Sequence, residues 1–187
     1  FLESKLEIKV DSNPSIFIDA KKIKLAQTQY NILKSQKNIL LGIGGSGFTK
    51  RIPSETFLKF IEYSSEKYDC RFFLATGKKF EEQEILKKIL NSKFKAKCVA
   101  LDQLELYETL PIIKNCDISI CNDTSFSHLS AAVGKPTIVL MADTPLLYGS
   151  YSPQMHPIIP EGEITVEHDT LGKQKIDPKR IFEKFQD

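Results

Sequence analysis

The sequence has no apolar run near the roughly 20 residues that a membrane-spanning helix needs. Its opening, FLESKLEIKVDS, shows no signal-peptide pattern and no initiator Met, so a piece of a longer chain is expected. Neither charge sign is in excess: 26 Lys and Arg stand against 24 Asp and Glu, a net +2. A general polyanion binder would carry a basic stripe and a pI above roughly 9, so nucleic acid is not an expected partner. Internal repeats and low-complexity stretches are absent. Cysteine is sparse, with Cys70, Cys98, Cys116 and Cys121, and no two form a C-x-x-C pair. A disulfide framework is not expected in a chain of this length, and no Cys/His cluster has the spacing of metal ligands. Reduced, buried thiols in a cytoplasmic protein are the reading. Asn122-Asp123-Thr124 is a formal glycosylation sequon, a chance match without secretion.

What is present is globular. The 187 residues are 41% hydrophobic and 27% charged, the size and composition of one domain. A helical pattern runs from Ala20 to about Ser35 through Ile23, Ala26, Tyr30 and Leu33. Short apolar runs then recur at Asn38–Ile43, Arg71–Ala75, Lys97–Leu101, Asp117–Cys121 and Thr137–Met141. Helical patterns lie between them, at Pro53–Tyr68, Lys79–Asn91, Leu104–Asn115 and Thr124–Val133. Strands apolar on both faces that alternate with helices predict βαβ units and a parallel sheet covered on both sides. Right-handed crossovers make it a doubly wound, Rossmann-like α/β fold. Residues 143–176 read as irregular, and Asp177–Phe185 as a closing helix with Asp177 at the N-cap and Pro178 at N1.

In such a sheet the ligand lies beyond the carboxyl ends of the strands. The loop after the first strand, Gly42-Ile43-Gly44-Gly45-Ser46-Gly47-Phe48-Thr49-Lys50-Arg51, formally contains G-x-G-x-x-G. The next helix starts only near Pro53, a natural N1 residue. The second strand also ends in Thr76-Gly77, where a ribose-binding acid would stand. A P-loop is excluded because Phe48, not Lys, follows Gly47. Backbone N–H groups with Lys50 and Arg51 suit a phosphate; the plain alternative is a βα loop with solvated cations.

After the fourth strand, Asn122, Asp123, Thr124 and Ser125 can each cap the following helix. Asp123 or Asn122 is then a cap only, or the N–H groups of Thr124 and Ser125 hold a diphosphate at the helix end. His128 is either a packed histidine or part of the same crevice. Glu81, Glu82 and Glu84 either stabilise a helix start or offer a ribose hydroxyl an acceptor. Leu104 is core or the floor of a base pocket, Gly134 a natural C′ residue, and Asp143, Thr144, Tyr148 and Tyr151 stand at the crevice mouth. No nucleophile-elbow triad and no carboxylate pair spaced for metal is present.

Two segments together resemble glycosyltransferase family 9, the lipopolysaccharide heptosyltransferases. One is Lys50-Arg51-Ile52-Pro53 after the Gly/Ser loop; the other runs from Asp123-Thr124 through Ser127-His128-Leu129, Ala131-Ala132 and Gly134 to Thr137. The resemblance implies a GT-B enzyme of which this chain is the C-terminal, nucleotide-sugar-binding half. Residues 1–37 would be the interdomain connection and leading helix, 38–187 the Rossmann-like domain, and the N-terminal acceptor domain would lie outside the chain. It implies inverting transfer of heptose from an ADP-activated donor to a lipid-linked core saccharide. No metal or other cofactor takes part, the site is cytoplasmic at the inner face of the inner membrane, and peripheral membrane contact is compatible with the charge balance. Lys50 and Asp123 would serve the reacting centre, Lys50 by neutralising the diphosphate with Ser46 nearby, Asp123 by holding sugar hydroxyls. Thr124 and Ser125 would bind phosphate, His128 would support that pocket, Glu81 or Glu82 would bind ribose, and Leu104 the base. The general base would be an aspartate of the absent domain, leaving this half inactive alone. Ser125 departs from the family's usual glycine, and Gly45 from the hydroxyl residue of some members. The competing readings are a dinucleotide-binding oxidoreductase domain using Gly42, Gly44 and Gly47, and a non-catalytic nucleotide-sugar-binding relative.

Overall fold

The apolar runs pair side by side in the computed structural model, which describes residues 2–7, 13–45 and 47–187. In chain order the elements are α1 (Leu2–Leu6), α2 (Ala20–Gln29), β1 (Lys37–Gly42), α3 (Ser54–Lys67), β2 (Cys70–Ala75), α4 (Phe80–Leu90) and β3 (Cys98–Ala100). Then come α5 (Leu106–Asn115), β4 (Ile118–Asn122), α6 (Ser125–Ala132), β5 (Thr137–Leu140), β6 (Met155–Ile158) and α7 (Pro178–Gln186). The six strands lie in the order β3-β2-β1-β4-β5-β6, and every neighbouring pair is parallel. The chain winds outward from β1 to β3, then returns to the other side of β1 with β4. That reversal opens a crevice beyond the carboxyl ends of β1 and β4.

Side-chain alternation explains why the sheet is covered twice. Ile39 and Leu41 of β1 point into a core shared with Phe57 and Phe60 of α3, Leu86 of α4 and Ile181 of α7. Leu40, between them, points the other way, onto Ile112 and Ile113 of α5 and Ala26 of α2. Both faces therefore exclude water, which is why the strands read as continuous apolar runs. The segment before β1 packs with the domain: Ala26 and Ile32 are buried in that second cluster, and the Ile16 N–H donates to Ala132 O at 2.9 Å.

The structure departs from the sequence reading at several ends. The helix starting at Ala20 stops at Gln29 rather than about Ser35, because Asn31 takes a left-handed φ of 49°. Ile32 N–H then bonds Gln27 O and Asn31 N–H bonds Thr28 O, a Schellman closure that aims Ile32 inward. Pro53 is the N-cap of α3, not N1. The helix expected from Leu104 begins at Leu106, its start secured by Glu108 accepting from the Glu105 N–H at 2.8 Å. Residues 143–176 are not wholly irregular, since they supply β6; Pro157 within it and the prolines around it mask the pattern, and an edge position tolerates Pro157. Gly134, at φ 77°, closes α6, and Asp177 caps α7 by accepting from the Lys179 N–H at 2.8 Å.

Phe72 is fully buried and meets the Phe60 ring edge-on at 6.4 Å between centroids. Phe72→Ala should cost about 3–5 kcal/mol, read as a lower urea midpoint; a loss below about 1 kcal/mol would mean the site collapses around the void.

Candidate functional site

The loop leaving β1 is held from three sides. Glu82, on the first turn of α4, accepts from the Gly45 N–H at 2.7 Å. Arg51 Nη1 donates to Gly45 O at 3.1 Å. From the end of β4, Asn122 Nδ2 donates to Gly44 O at 2.9 Å and Ile43 O at 3.1 Å. Glycine is required where these groups converge: a Cβ on Gly44 would stand 2.6 Å from Glu82 Oε1 and 2.8 Å from Thr76 Oγ1. One on Gly77 would also strike the Glu82 carboxylate. A side chain at Gly45 would press on Arg51 Cγ at 3.3 Å, which suits the glycine found there.

Two sequence readings change here. Arg51 is buried and bonds the loop's own carbonyl, so it is not a solvated or phosphate-facing cation; of the two neighbours only Lys50 faces the crevice. Asn122 ends β4 and braces the loop instead of capping α6, whose N-cap is Thr124. Neither Gly44 nor Gly47 leads into a helix N-terminus, because Phe48–Lys50 forms a short 3-10 turn and α3 starts at Ser54.

Two cavities flank the start of α6. The larger, about 660 Å³, runs past the ends of β1, β2 and β3, with Gly44, Glu82, Asp102, Leu104 and Phe126 in its walls. Lys78 and Glu105 pair across its rim at 3.5 Å, an exposed contact of small energetic weight. The smaller, about 280 Å³, contains Lys50, Asp123, His128, Thr144, Tyr148 and His168. Thr124 and Ser125 line both. The Ser127 N–H closes on Thr124 O at 3.1 Å, whereas those of Ser125 and Phe126 come too early in α6 for a partner within the helix; with the partial positive charge of the helix end, the meeting point of the cavities favours an anion.

In the smaller cavity Asp123 is the hub. Its Oδ2 accepts from Lys50 Nζ at 3.0 Å and Thr144 Oγ1 at 2.7 Å. Its Oδ1 lies 3.8 Å from His128 Nε2. The other His128 nitrogen, Nδ1, is 2.9 Å from the Tyr151 hydroxyl, and the rings stack at 5.6 Å and 16°. The imidazole thus has Nδ1 hydrogen-bonded and one face covered, while Nε2 faces Asp123 from beyond hydrogen-bond distance. Beyond it, the segment 159–173 folds back over the β1 loop: Lys173 Nζ sits 3.1 Å from the Phe48 ring centroid and donates to Phe48 O at 3.0 Å.

Of the residues read from the sequence, Lys50, Asp123, Thr124, Ser125 and His128 come together, and Leu104 lies in the larger cavity. Glu82 is buried in that cavity's wall whereas Glu81 is exposed, so the two acids are separated by position. Ser46 lies outside the described residues. The sequence reading missed His168 and Asp102, which belong to no recognisable motif and enter only through the fold. Among the described residues no group of three His, Cys, Asp or Glu side chains could hold a metal ion. All four cysteines are free, and burial pushes the Cys121 thiol up to about 12. No helix among the described residues is long and apolar enough to cross a membrane.

A six-stranded parallel sheet in this order, with a polar crevice at its switch point, defines a Rossmann-like, doubly wound domain. The family model for glycosyltransferase family 9 (heptosyltransferase) matches residues 2–173, and the chain belongs to that family. It is 24% identical over 163 residues to lipopolysaccharide heptosyltransferase 1 of Campylobacter coli, covering 83% of this chain and 46% of that protein. The fold matches the E. coli ADP-heptose lipopolysaccharide heptosyltransferase II with a TM-score of 0.73 at 20% identity, over 92% of this chain and 52% of that one. It matches an E. coli heptosyltransferase solved with ADP with a TM-score of 0.66 at 18% identity, over 87% and 48%. The chain therefore spans about half the length of these relatives. Family membership displaces the dinucleotide-oxidoreductase alternative.

Asp143 ties the crevice mouth together by accepting from the Leu171 N–H at 2.7 Å. Burial opposes its charge, but that N–H, Thr49 and the nearby His168 and Lys50 hold its carboxyl below the usual aspartate range. A depressed folded value gives stability that is complete above the unfolded value of about 3.9 and lost as pH falls through the folded one. Asp143→Asn should therefore flatten the fall in urea midpoint below about pH 4. An unchanged slope would show that Asp143 does not contribute to acid unfolding.

Proposed function

We propose that this chain is the donor-binding half of an inverting glycosyltransferase that passes heptose from an ADP-activated donor to a lipopolysaccharide core acceptor. The observation that carries it is the pair of cavities meeting at Thr124 and Ser125, one with Glu82 and Leu104 in its walls, the other with Lys50, Asp123 and His128. A nucleoside diphosphate sugar has the same three-part order. Its base and ribose would occupy the larger cavity, its diphosphate the α6 end beside Lys50, and its sugar the Asp123 pocket. The relative solved with ADP supports the nucleotide half of this reading.

In the proposed reaction an acceptor hydroxyl attacks the anomeric carbon while the bond to the diphosphate oxygen breaks and its electron pair leaves with ADP. Negative charge grows on that oxygen. Lys50 Nζ and the first N–H groups of α6 are fixed where it develops, and so stabilise the departing group more than the bound donor. This cation and these N–H donors would serve the leaving group without a metal. Asp123 Oδ1, turned away from the Lys50 contact, would accept a hydrogen bond from a sugar hydroxyl, while Thr144 and Lys50 hold the carboxylate in orientation. Glu82 would accept from a ribose hydroxyl, and Leu104 would pack on the base. Ser125 places a hydroxyl beside the phosphates. The acceptor's proton needs a general base. We assign it to a second domain that would complete the cleft, carry the lipid-linked acceptor and meet the membrane at the cytoplasmic face. This half alone would bind donor and transfer negligibly.

Calorimetry of the 187-residue chain tests the reading. ADP should bind, chelator should leave its affinity unchanged, and sugar transfer should be negligible. Lys50→Ala should weaken ADP by about tenfold or more while adenosine changes little. Equal losses for both ligands would remove Lys50 from the diphosphate, and absence of any nucleotide binding would overturn the reading.

A further inference from the structure

The larger cavity contains a carboxylate that neither the loop architecture nor the proposed transfer uses. Asp102 follows β3 by two residues, is 8% exposed and forms part of the cavity wall. It sits inside the turn closed by the Leu104 N–H on Leu101 O at 3.1 Å. The nearby helix start does not employ it, because α5 begins under the Glu105 and Glu108 pair. The hydrogen bond it does make is to its neighbour, Gln103 Nε2 to Asp102 Oδ2 at 2.6 Å. A carboxylate has about four acceptor positions, so this contact leaves most of them for something else.

Its place along the sheet says what that is. Resting on the donor reading above, the diphosphate lies at the β1–β4 end of the crevice and Glu82, on the helix after β2, is the ribose acceptor. Asp102, after β3, lies one strand further out. Strands stand about 4.8 Å apart, so β1 to β3 spans about 10 Å, the direction in which a nucleoside extends from its phosphate. The smaller cavity holds Lys50 with Asp123, whereas the larger one holds Lys78, Lys79 and Glu105 along with the buried acids Glu82 and Asp102. A buried anion at the outer end accepts hydrogen bonds and donates none, so it favours a base edge that presents N–H groups and opposes one that presents a carbonyl oxygen.

We propose that Asp102 reads the edge of the donor's base and selects a purine bearing an exocyclic amino group. Adenine offers its N6 amino group there. Hypoxanthine, of nearly the same shape, puts an oxygen at position 6, so a carboxylate set opposite that position rather than opposite N1 faces a second acceptor. Sites that hydrogen-bond a ligand group discriminate strongly against the analogue lacking it, because a buried polar atom is then left unpaired.

The test is calorimetry of the chain with ADP, IDP and GDP, for wild type and Asp102→Asn. Wild type should bind ADP about tenfold or more tighter than IDP. Asp102→Asn, whose amide can both donate and accept, should bring that ratio close to one. The ratio is taken within one preparation, so partial misfolding of the variant does not alter it. Equal affinities for ADP and IDP in wild type would overturn the proposal, as would a ratio that survives Asp102→Asn. GDP binding tightest, with the preference lost in Asp102→Asn, would uphold Asp102 as the base reader while overturning ADP as the donor nucleotide. Failure of all three nucleotides to bind wild type would overturn the donor reading and this inference with it.

Discussion

Everything at the crevice depends on how the backbone beyond β1 is kept in one conformation. Glycine-rich chain has much freedom to lose, and a loop here must be rigid enough to aim Lys50 at a point. The fold meets that need with side chains from outside the loop. Glu82 takes one N–H, Arg51 one carbonyl, and Asn122 two more. Each anchor comes from a different place: α4, the end of the loop itself, and β4. Because those anchors are buried, their hydrogen bonds compete little with water, and losing any one would leave a polar group unpaired in the interior.

The same economy places Asp123. A buried carboxylate is costly unless paired, and this one is met by Lys50, Thr144 and, more distantly, His128. The partners belong to the β1 loop, the segment after β5 and α6, so the carboxylate joins three stretches of chain that approach one another only in the folded sheet. His128 is fixed in turn by Tyr151. Local geometry at the α6 start is thus tied to residues far away in sequence, which suits a site whose charges must already be arranged when a ligand arrives.

The architecture was legible because its signal is local and repetitive. Apolar runs flanked by helical spacing pointed to a parallel doubly wound sheet, and the runs at Asn38–Ile43 and Thr137–Met141 lie where β1 and β5 form. Failures fell where long-range context decides. Asn31 ends α2 by adopting a left-handed turn that a helical pattern does not announce, and β6 hides behind Pro157, acceptable only at an edge. At the candidate site, Lys50, Asp123 and His128 carried a motif, so they could be singled out. Arg51 could not be told from Lys50, since two adjacent cations look alike until one turns inward. Glu81 and Glu82 were equivalent on the page for the same reason. Asp102 and His168 had no spacing to advertise them, because their neighbours are assembled by the fold.

The edges of the sheet have a consequence for how the molecule behaves in company. An exposed parallel edge is a row of unpaired donors and acceptors that another chain could extend. Here one edge is β3, only three residues long. The other is β6, where Pro157 has no N–H to offer and breaks the ladder halfway along. Among the described residues, both flanks are therefore poor templates for a neighbouring strand. Growth of the sheet by edge-to-edge pairing between copies is thereby disfavoured at both flanks.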